Sequence, residues 1–428
     1  KEPIENARWR RDLLGRAERN PAFQDTLRRM CEQDLLFFAN FVCWSVDPGR
    51  SSQGLPVEFP LVTWDFQDDD MVEVELAISG GYWLPTIKSR EMGGSWNRLI
   101  VMYWRWLFRR RQMFTLLSAK EDKVDARDNP DTLFGKLDIL WEHTPSWLRP
   151  ANLIPAIHRT HMHFYNPQTK SVFDGDSAGQ DAGRGGRRTA ILGDEWASLP
   201  DQKAILASIG RNSKCLLPLS TPKSPVDEFA RMVGDPRMRV LRLGWYYRPD
   251  YRAGLYTSVD GVFKPLDPGF VYPAGFVPIC DGHLRSPWHD ADEAKLGPTL
   301  HAQETDMNVA GSVPRLFDQQ TVDRLRALYC REPVLSLPLR SLFKPPDEPQ
   351  WQAFWSRVGS PMVHFWVPLQ QTGSSWLAPA DRRYGFGVDV STGTGASNSV
   401  IHVADTKEMR QAAEFSSPHV LPEELAHV

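Results

Sequence analysis

An amine, two glycines and a hydroxyl fall within eight residues at Lys88-Ser89-Arg90-Glu91-Met92-Gly93-Gly94-Ser95. About a hundred residues later a mostly apolar run ends in two carboxylates, Asp194-Glu195. Small residues let backbone N–H groups close on an oxyanion, a lysine neutralises it, and a hydroxyl at a helix start serves a cation. The octapeptide thus carries the parts of a phosphate-holding loop in an unusual order. In Gly-x-x-x-x-Gly-Lys-Ser/Thr the lysine stands where Gly94 stands here, and Lys88 takes the slot of the first glycine. A lysine side chain is long enough to reach a β/γ-phosphate from that end. A Gly-Gly turn before a core helix accounts for the same eight residues equally well.

Thr189 to Gly193 reads as a buried parallel strand that delivers Asp194 and Glu195 to its carboxyl end, where ligands sit in open α/β sheets. An aspartate there can hold the water shell of Mg²⁺, and the next carboxylate can orient the attacking water or take its proton. Alone, such a pair also serves as a helix N-terminal charge pair. A third apolar strand, Cys215 to Leu219, ends in Ser220-Thr221-Pro222. Hydroxyls there can register loss of a γ-phosphate, although Ser/Thr before Pro is also ordinary turn chemistry. Among arginines that can stabilise transition-state charge, Arg90 is the first choice, followed by Arg184 and Arg187 in the Gly/Arg-rich turn ahead of the acid pair.

These groups need elements to hold them. Tyr82 to Ile87 is extended in character, and Trp96 to Phe108 is a long apolar-rich run without Gly or Pro, so a strand, a loop and a helix are expected around the octapeptide. Residues 1–58 read as a helical lead-in interrupted at Asn20-Pro21 and Asp47-Pro48. From 59 to 317 strand and helix signals alternate as in a βαβ domain, with a hairpin excursion in the Pro- and Gly-rich stretch near 248–300. Residues 318–380 read as linker, and 381–428 as the start of another domain. Hydrophobic content of 41% allows full-sized cores, and a net charge of −3 argues against a uniformly basic nucleic-acid coat. Five scattered cysteines without a Cys-x-x-Cys pair point to a reducing compartment. No apolar run is long enough for a membrane span, and no signal-peptide pattern opens the chain.

The ordered set of motifs resembles the large terminase subunit of tailed bacteriophages, the motor and nuclease that packages DNA into proheads. That family has an early lysine in its phosphate loop, an Asp-Glu strand and a Ser/Thr-Thr-Pro coupling segment in this order. Trp64-Asp65-Phe66-Gln67 upstream is similar to its adenine-recognising glutamine segment, and Leu116 to Lys120 matches downstream. The likeness spans about residues 60 to 405. It implies a RecA-like ASCE P-loop ATPase domain of α/β fold, followed by the first strands of a ribonuclease H-like nuclease. ATP would be held by Gln67, by Lys88 to Trp96 through Ser89, Arg90, Glu91, Met92, Gly93, Gly94 and Ser95, and by Ser220 and Thr221. Ser95 and Asp194 would manage Mg²⁺, and Glu195 would activate water.

The second domain opens with Tyr384 to Val390, which alternates like a strand around Asp389, followed by a Gly-rich turn and the strand Val400 to Asp405. The resemblance makes Asp389 a catalytic and metal-binding carboxylate for Mg²⁺ or Mn²⁺. Two-metal cleavage needs several acids, and the family's later ones belong to strands that would follow Val428, so cleavage by this chain alone is not expected. Implied partners are double-stranded DNA, a small terminase subunit, the portal protein and a homo-oligomeric ring on the prohead, with no membrane, in the cytoplasm of the infected bacterial host. A non-packaging, helicase-like nucleic-acid ATPase and an inactive prophage remnant are the alternatives. His158, His161 and His163 suggest a metal, but a hairpin with two histidines on one face is the simpler reading. Asp68-Asp69-Asp70 reads as a solvated helix start, and the Arg105, Arg109, Arg110, Arg111 cluster as a satisfied helix C-terminus.

Overall fold

The computed structural model describes residues 2–177, 186–308, 324–326, 328, 330–342, 349–393, 395 and 397–426. The chain divides into two compact units, Lys1–Gln320 and Thr321–Val428.

The first unit opens with helices α1 (Pro3–Ala17), α2 (Pro21–Gln33) and α3 (Leu35–Val42), then a short antiparallel pair, β1 (Trp44–Val46) and β2 (Glu58–Pro60). Pro21 sits at the start of α2 and the Asn20 side chain accepts from Phe23 N at 3.2 Å, so the interruption read in the sequence is a helix cap. Next come α4 (Asp65–Gly80), β3 (Thr86–Lys88), α5 (Gly94–Phe108), β4 (Met113–Ser118), α6 (Glu121–Val124), α7 (Leu133–His143) and α8 (Pro155–His158). After them run β5 (Arg159–Thr160), β6 (His163–Asn166), β7 (Ser171–Ser177), β8 (Ala190–Asp194), α9 (Gln202–Ile209), β9 (Leu216–Ser220), α10 (Glu228–Gly234) and β10 (Leu241–Leu243).

Eight of these strands form one sheet in the order β10-β3-β9-β8-β4-β7-β6-β5. The run from β10 to β7 is parallel, and β6 and β5 close the far edge antiparallel. Successive strand residues point to opposite faces, and the core divides accordingly. Leu116, Leu192 and Leu217 face one cluster with Phe38, Val74, Tyr103 and Trp106. Their neighbours Leu117, Ile191 and Leu216 face another with Ile205, Ile209, Phe229 and Met232. Helices thus cover both faces, and this burial explains why the strands read as near-continuous apolar runs.

One polar group crosses the first cluster. Asp70 and Arg98, each almost fully buried, meet bidentately at 2.5 and 2.8 Å, while Asn97 donates to Asp70 at 2.8 Å and Arg98 also reaches Thr86 Oγ1 at 2.8 Å. The solvated reading of Asp70 is therefore corrected: Gln67, Asp70, Met71 and Val74 share the inward side of α4.

The unit continues with α11 (Pro249–Arg252) and the antiparallel hairpin β11 (Tyr256–Val259) and β12 (Val262–Pro265), within the expected excursion. Helices α12 (Pro287–Leu296) and α13 (Pro298–Glu304) follow, separated by Gly297 at φ +77°. No helix among the described residues is long and apolar enough to cross a membrane.

The second unit is built on an antiparallel sheet of order β13-β14-β19-β18-β17, with β13 Leu335–Pro338, β14 Met362–Phe365, β17 Tyr384–Asp389, β18 Ser399–Asp405 and β19 Arg410–Ser417. A separate small hairpin joins β15 (Gln370–Thr372) and β16 (Ser375–Leu377). Leu339, Trp351, Phe354, Val363, Phe415, Val420 and Leu425 form its core. The linker reading of 318–380 is corrected here, because β13 and β14 are strands of the same sheet as β17. The prolines that suggested linker are compatible with an edge: Pro338 ends β13, the outermost strand, where a missing N–H costs no inner ladder bond.

Candidate nucleotide site

The octapeptide occupies the turn from β3 into α5, as the strand–loop–helix reading expects. The strand is shorter than read, because extended pairing begins only at Thr86. Gly93 sits at φ +75°, a backbone that favours glycine, and a Cβ there would lie 2.5 Å from Gln67 Nε2 and displace that amide. A Cβ on Gly94 would meet Leu219 Cδ1 at 3.1 Å and Lys88 Cδ at 3.2 Å. The early lysine therefore lies back across the glycines toward the start of α5. Burial pulls its ammonium below the usual lysine range, opposed by Asp194 and then Glu195.

The acid pair arrives as read. Asp194 ends β8, and Glu195 follows exposed at φ +52°, a left-handed backbone that is costly for a non-glycine residue. Ser95 Oγ donates to Asp194 at 2.9 Å from Oδ1 and 3.0 Å from Oδ2, which joins the loop to the acid strand. Between β3 and β8 lies β9, in parallel register with both: Ile87 pairs with Ser220, and Asp194 with Leu219. Ser220 is buried and its Oγ accepts from Ala197 N at 3.1 Å, within the short turn that follows the acid pair. Thr221 follows it, half-buried.

Other expected groups sit nearby with different occupations. Gln67 is buried, its carbonyl accepting from Trp64 N at 3.1 Å and its amide donating to Met92 O at 3.3 Å, so it braces the loop. The Ser89 hydroxyl donates to Thr305 O at 2.5 Å and accepts from Trp245 N at 3.0 Å, while the Met92 side chain is fully buried. Exposed Arg90 pairs with Glu304 at 2.6 Å, and Glu91, at φ +59°, bonds the Tyr251 hydroxyl. Arg187 is exposed, and Arg184 lies outside the described residues.

Sequence reasoning missed Lys136. On α7, half-buried, its ammonium stands 5.9 Å over the ring of half-buried Trp96. Burial lowers its pKa, with Asp194 and then Asp131 opposing, and the ammonium donates to Asp131 O. It lies beyond any loop motif, and no local signal marks it.

The remaining candidates lie apart. His163 bonds Asp174 on the expected hairpin, whereas His161 bonds Glu121 from the turn before β6, both at 2.8 Å. Arg105 pairs with Glu75 at 3.1 Å, and Arg109 donates to Glu32 O at 3.0 Å. A cleft of about 720 Å³ lined by Arg8, Arg11, Arg16 and Arg19 is on α1 and shares no residue with the loop.

In the second unit Asp389 is the last residue of β17 rather than its centre, and it is exposed. Pairing stops there because Ser391 N donates to Ser399 Oγ at 3.0 Å instead of extending the ladder. Among the described residues, Asp389 belongs to no group of three metal-capable side chains. Glu424 accepts from Leu421 N at 2.9 Å and caps the start of the short helix Pro422–Leu425.

No protein-family model and no curated protein matches this chain. The fold is similar to several solved phage large terminases. One is the Thermus phage P74-26 large terminase ATPase domain, at 16% identity and TM-score 0.37, with 55% of this chain and 92% of that one covered. Another is the HK97 bacteriophage large terminase, at 12% identity and TM-score 0.41, with 87% of this chain and 64% of that one covered. The large terminase of a thermophilic bacteriophage, solved in complex with ADP, matches at 10% identity and TM-score 0.36, with 78% and 64% covered. The chain therefore spans less than two thirds of the last two proteins.

Proposed function

We propose that this chain binds and hydrolyses ATP with Mg²⁺ as the motor subunit of a large-terminase-type DNA-packaging machine. One observation carries the reading: the Ser95 hydroxyl bonds both oxygens of Asp194, with the Lys88 stem folded over the same loop. A hydroxyl and a carboxylate facing each other are the hard oxygen donors that magnesium prefers. Ser95 and Asp194 would hold the ion, which when bound neutralises charge on the phosphates. Lys88 and the amides of the loop bind and orient the β- and γ-phosphates. Gln67, with both ends of its amide bonded to backbone, sets the loop from behind. Glu195 orients the attacking water and takes its proton. Ser220, tied to the turn after the acid pair, passes phosphate loss into the sheet, and Lys136 or Arg90 supplies positive charge at the transition state. The motor acts on double-stranded DNA in a ring with portal and small subunit. Asp389 belongs to the nuclease half of that machine.

Steady-state ATP hydrolysis, with and without DNA, tests the assignment. Wild-type turnover should vanish in Glu195→Gln while nucleotide binding persists. Equal rates in wild type and Glu195→Ala would defeat it.

A further inference from the structure

Three side chains that no part of the nucleotide chemistry uses converge between α12 and the residues after α13. His289 and His301 are both 2% exposed, and Asp306 is partly open to solvent. One ligand atom from each lies within 4.8 Å of the other two. His289 Nε2 is 2.7 Å from Asp306 Oδ1, and His301 Nδ1 is 3.6 Å from Asp306 Oδ2. Asp306 alone does not account for the arrangement, because Nε2 of His301 and Nδ1 of His289 are buried without a hydrogen bond. An imidazole buried with an unused polar nitrogen is costly.

Those outward nitrogens each look toward a carboxylate: His301 Nε2 is 3.7 Å from Asp292 Oδ2, and His289 Nδ1 is 4.0 Å from Asp290 Oδ1. Both separations are too long for a hydrogen bond, but they set a carboxylate behind each ring, where it can close on the outer nitrogen once the inner one binds an ion. We infer that His289, His301 and Asp306 bind a divalent transition metal of the zinc type. Two imidazoles and one carboxylate suit that ion, and the open side of Asp306 leaves room for water as fourth ligand. A tetrahedral ion at bond lengths of about 2.0–2.1 Å holds its ligands roughly 3.3 Å apart. The 2.7 Å contact must therefore open, and any wider separation must draw in, when the ion enters.

The position gives the ion a task. Thr305, adjacent to Asp306, accepts at its carbonyl from Ser89 Oγ and donates through Oγ1 to Asp292 at 2.7 Å. Glu304 holds Arg90 through both backbone and side chain. The metal thus clamps the segment that props the first turn of the phosphate loop. Its occupancy and nucleotide affinity should rise together, since such coupling is reciprocal.

The test uses the full chain stripped with chelator and titrated with Zn²⁺ against a chromophoric competitor, without nucleotide. One zinc per folded chain is expected, with a raised melting temperature and a tetrahedral Co²⁺ spectrum on substitution. His301→Gln and Asp306→Asn should each weaken binding at least about 10–100-fold, the loss that a mere supporting partner causes. His161→Gln should leave it unchanged. Asp306→Asn keeps the test usable if the buried histidine variant fails to fold. Absence of stoichiometric zinc on folded wild type, or equal affinity in the Asp306→Asn protein, overturns the site. Both readouts stand whether or not the chain turns over ATP.

Discussion

Asp194 and Asp389 each stand at the end of a strand in a motif of chemical promise, yet their surroundings differ. Asp194 ends an inner strand of a parallel sheet, and the fold delivers Ser95 to it from a helix a hundred residues earlier in the chain. Asp389 ends β17, the outer strand of an antiparallel sheet, beside exposed Phe386 and Val388. A carboxylate becomes a working group only when separate segments bring it partners. Parallel topology does so by construction, because every strand end on one edge is followed by a loop over the same crevice.

The contrast breaks most sharply at the pocket. Asp194→Asn should lower ATP turnover about 10²–10³-fold, as removal of one preorganised charged group does, while Asp389→Ala leaves the rate unchanged. Comparable losses in both would mean that the two acids are not as different as their settings. Next in size is the buried pair behind the loop: Arg98→Ala strands Asp70 and should cost about 3–5 kcal/mol in denaturant titration. A loss under about 1 kcal/mol would show that water reaches it.

Gly93→Ala forces a side chain into left-handed backbone against Gln67, costing about 1–2 kcal/mol. It should also weaken binding of a fluorescent ATP analogue, whereas alanine at Gly387, where a Cβ meets nothing within 4 Å, should not. Smallest is the effect of Asp389→Ala on stability, within about 0.5 kcal/mol for an exposed residue. A larger loss by calorimetry would place an unseen partner beside it.

Much of the pocket was legible because its parts are local. Gly93 and Gly94 announce a turn, apolar runs announce buried strands, and motif order sets which strand ends share an edge. What escaped depends on contacts across long sequence separations. Asp70 belongs to an acidic triplet that looks solvated until Arg98 is packed above it. Glu304 and Thr305 meet Arg90 and Ser89 over more than 200 intervening residues, a pairing that no periodicity encodes. Leu335 to Pro338 hid among prolines that an edge strand tolerates. His289 and His301 sit on successive helices, so their convergence follows from the bend at Gly297 rather than from ligand spacing.

The strand β9 sits between the amine's strand and the acid's strand, and its width acts as a ruler. Neighbouring strands lie about 4.8 Å apart, so β3 and β8 end roughly 10 Å from one another. Side chains reaching inward from both ends can share a small polyanion across that span without touching backbone to backbone. Were the intervening strand absent, the gap would halve and leave no berth for one.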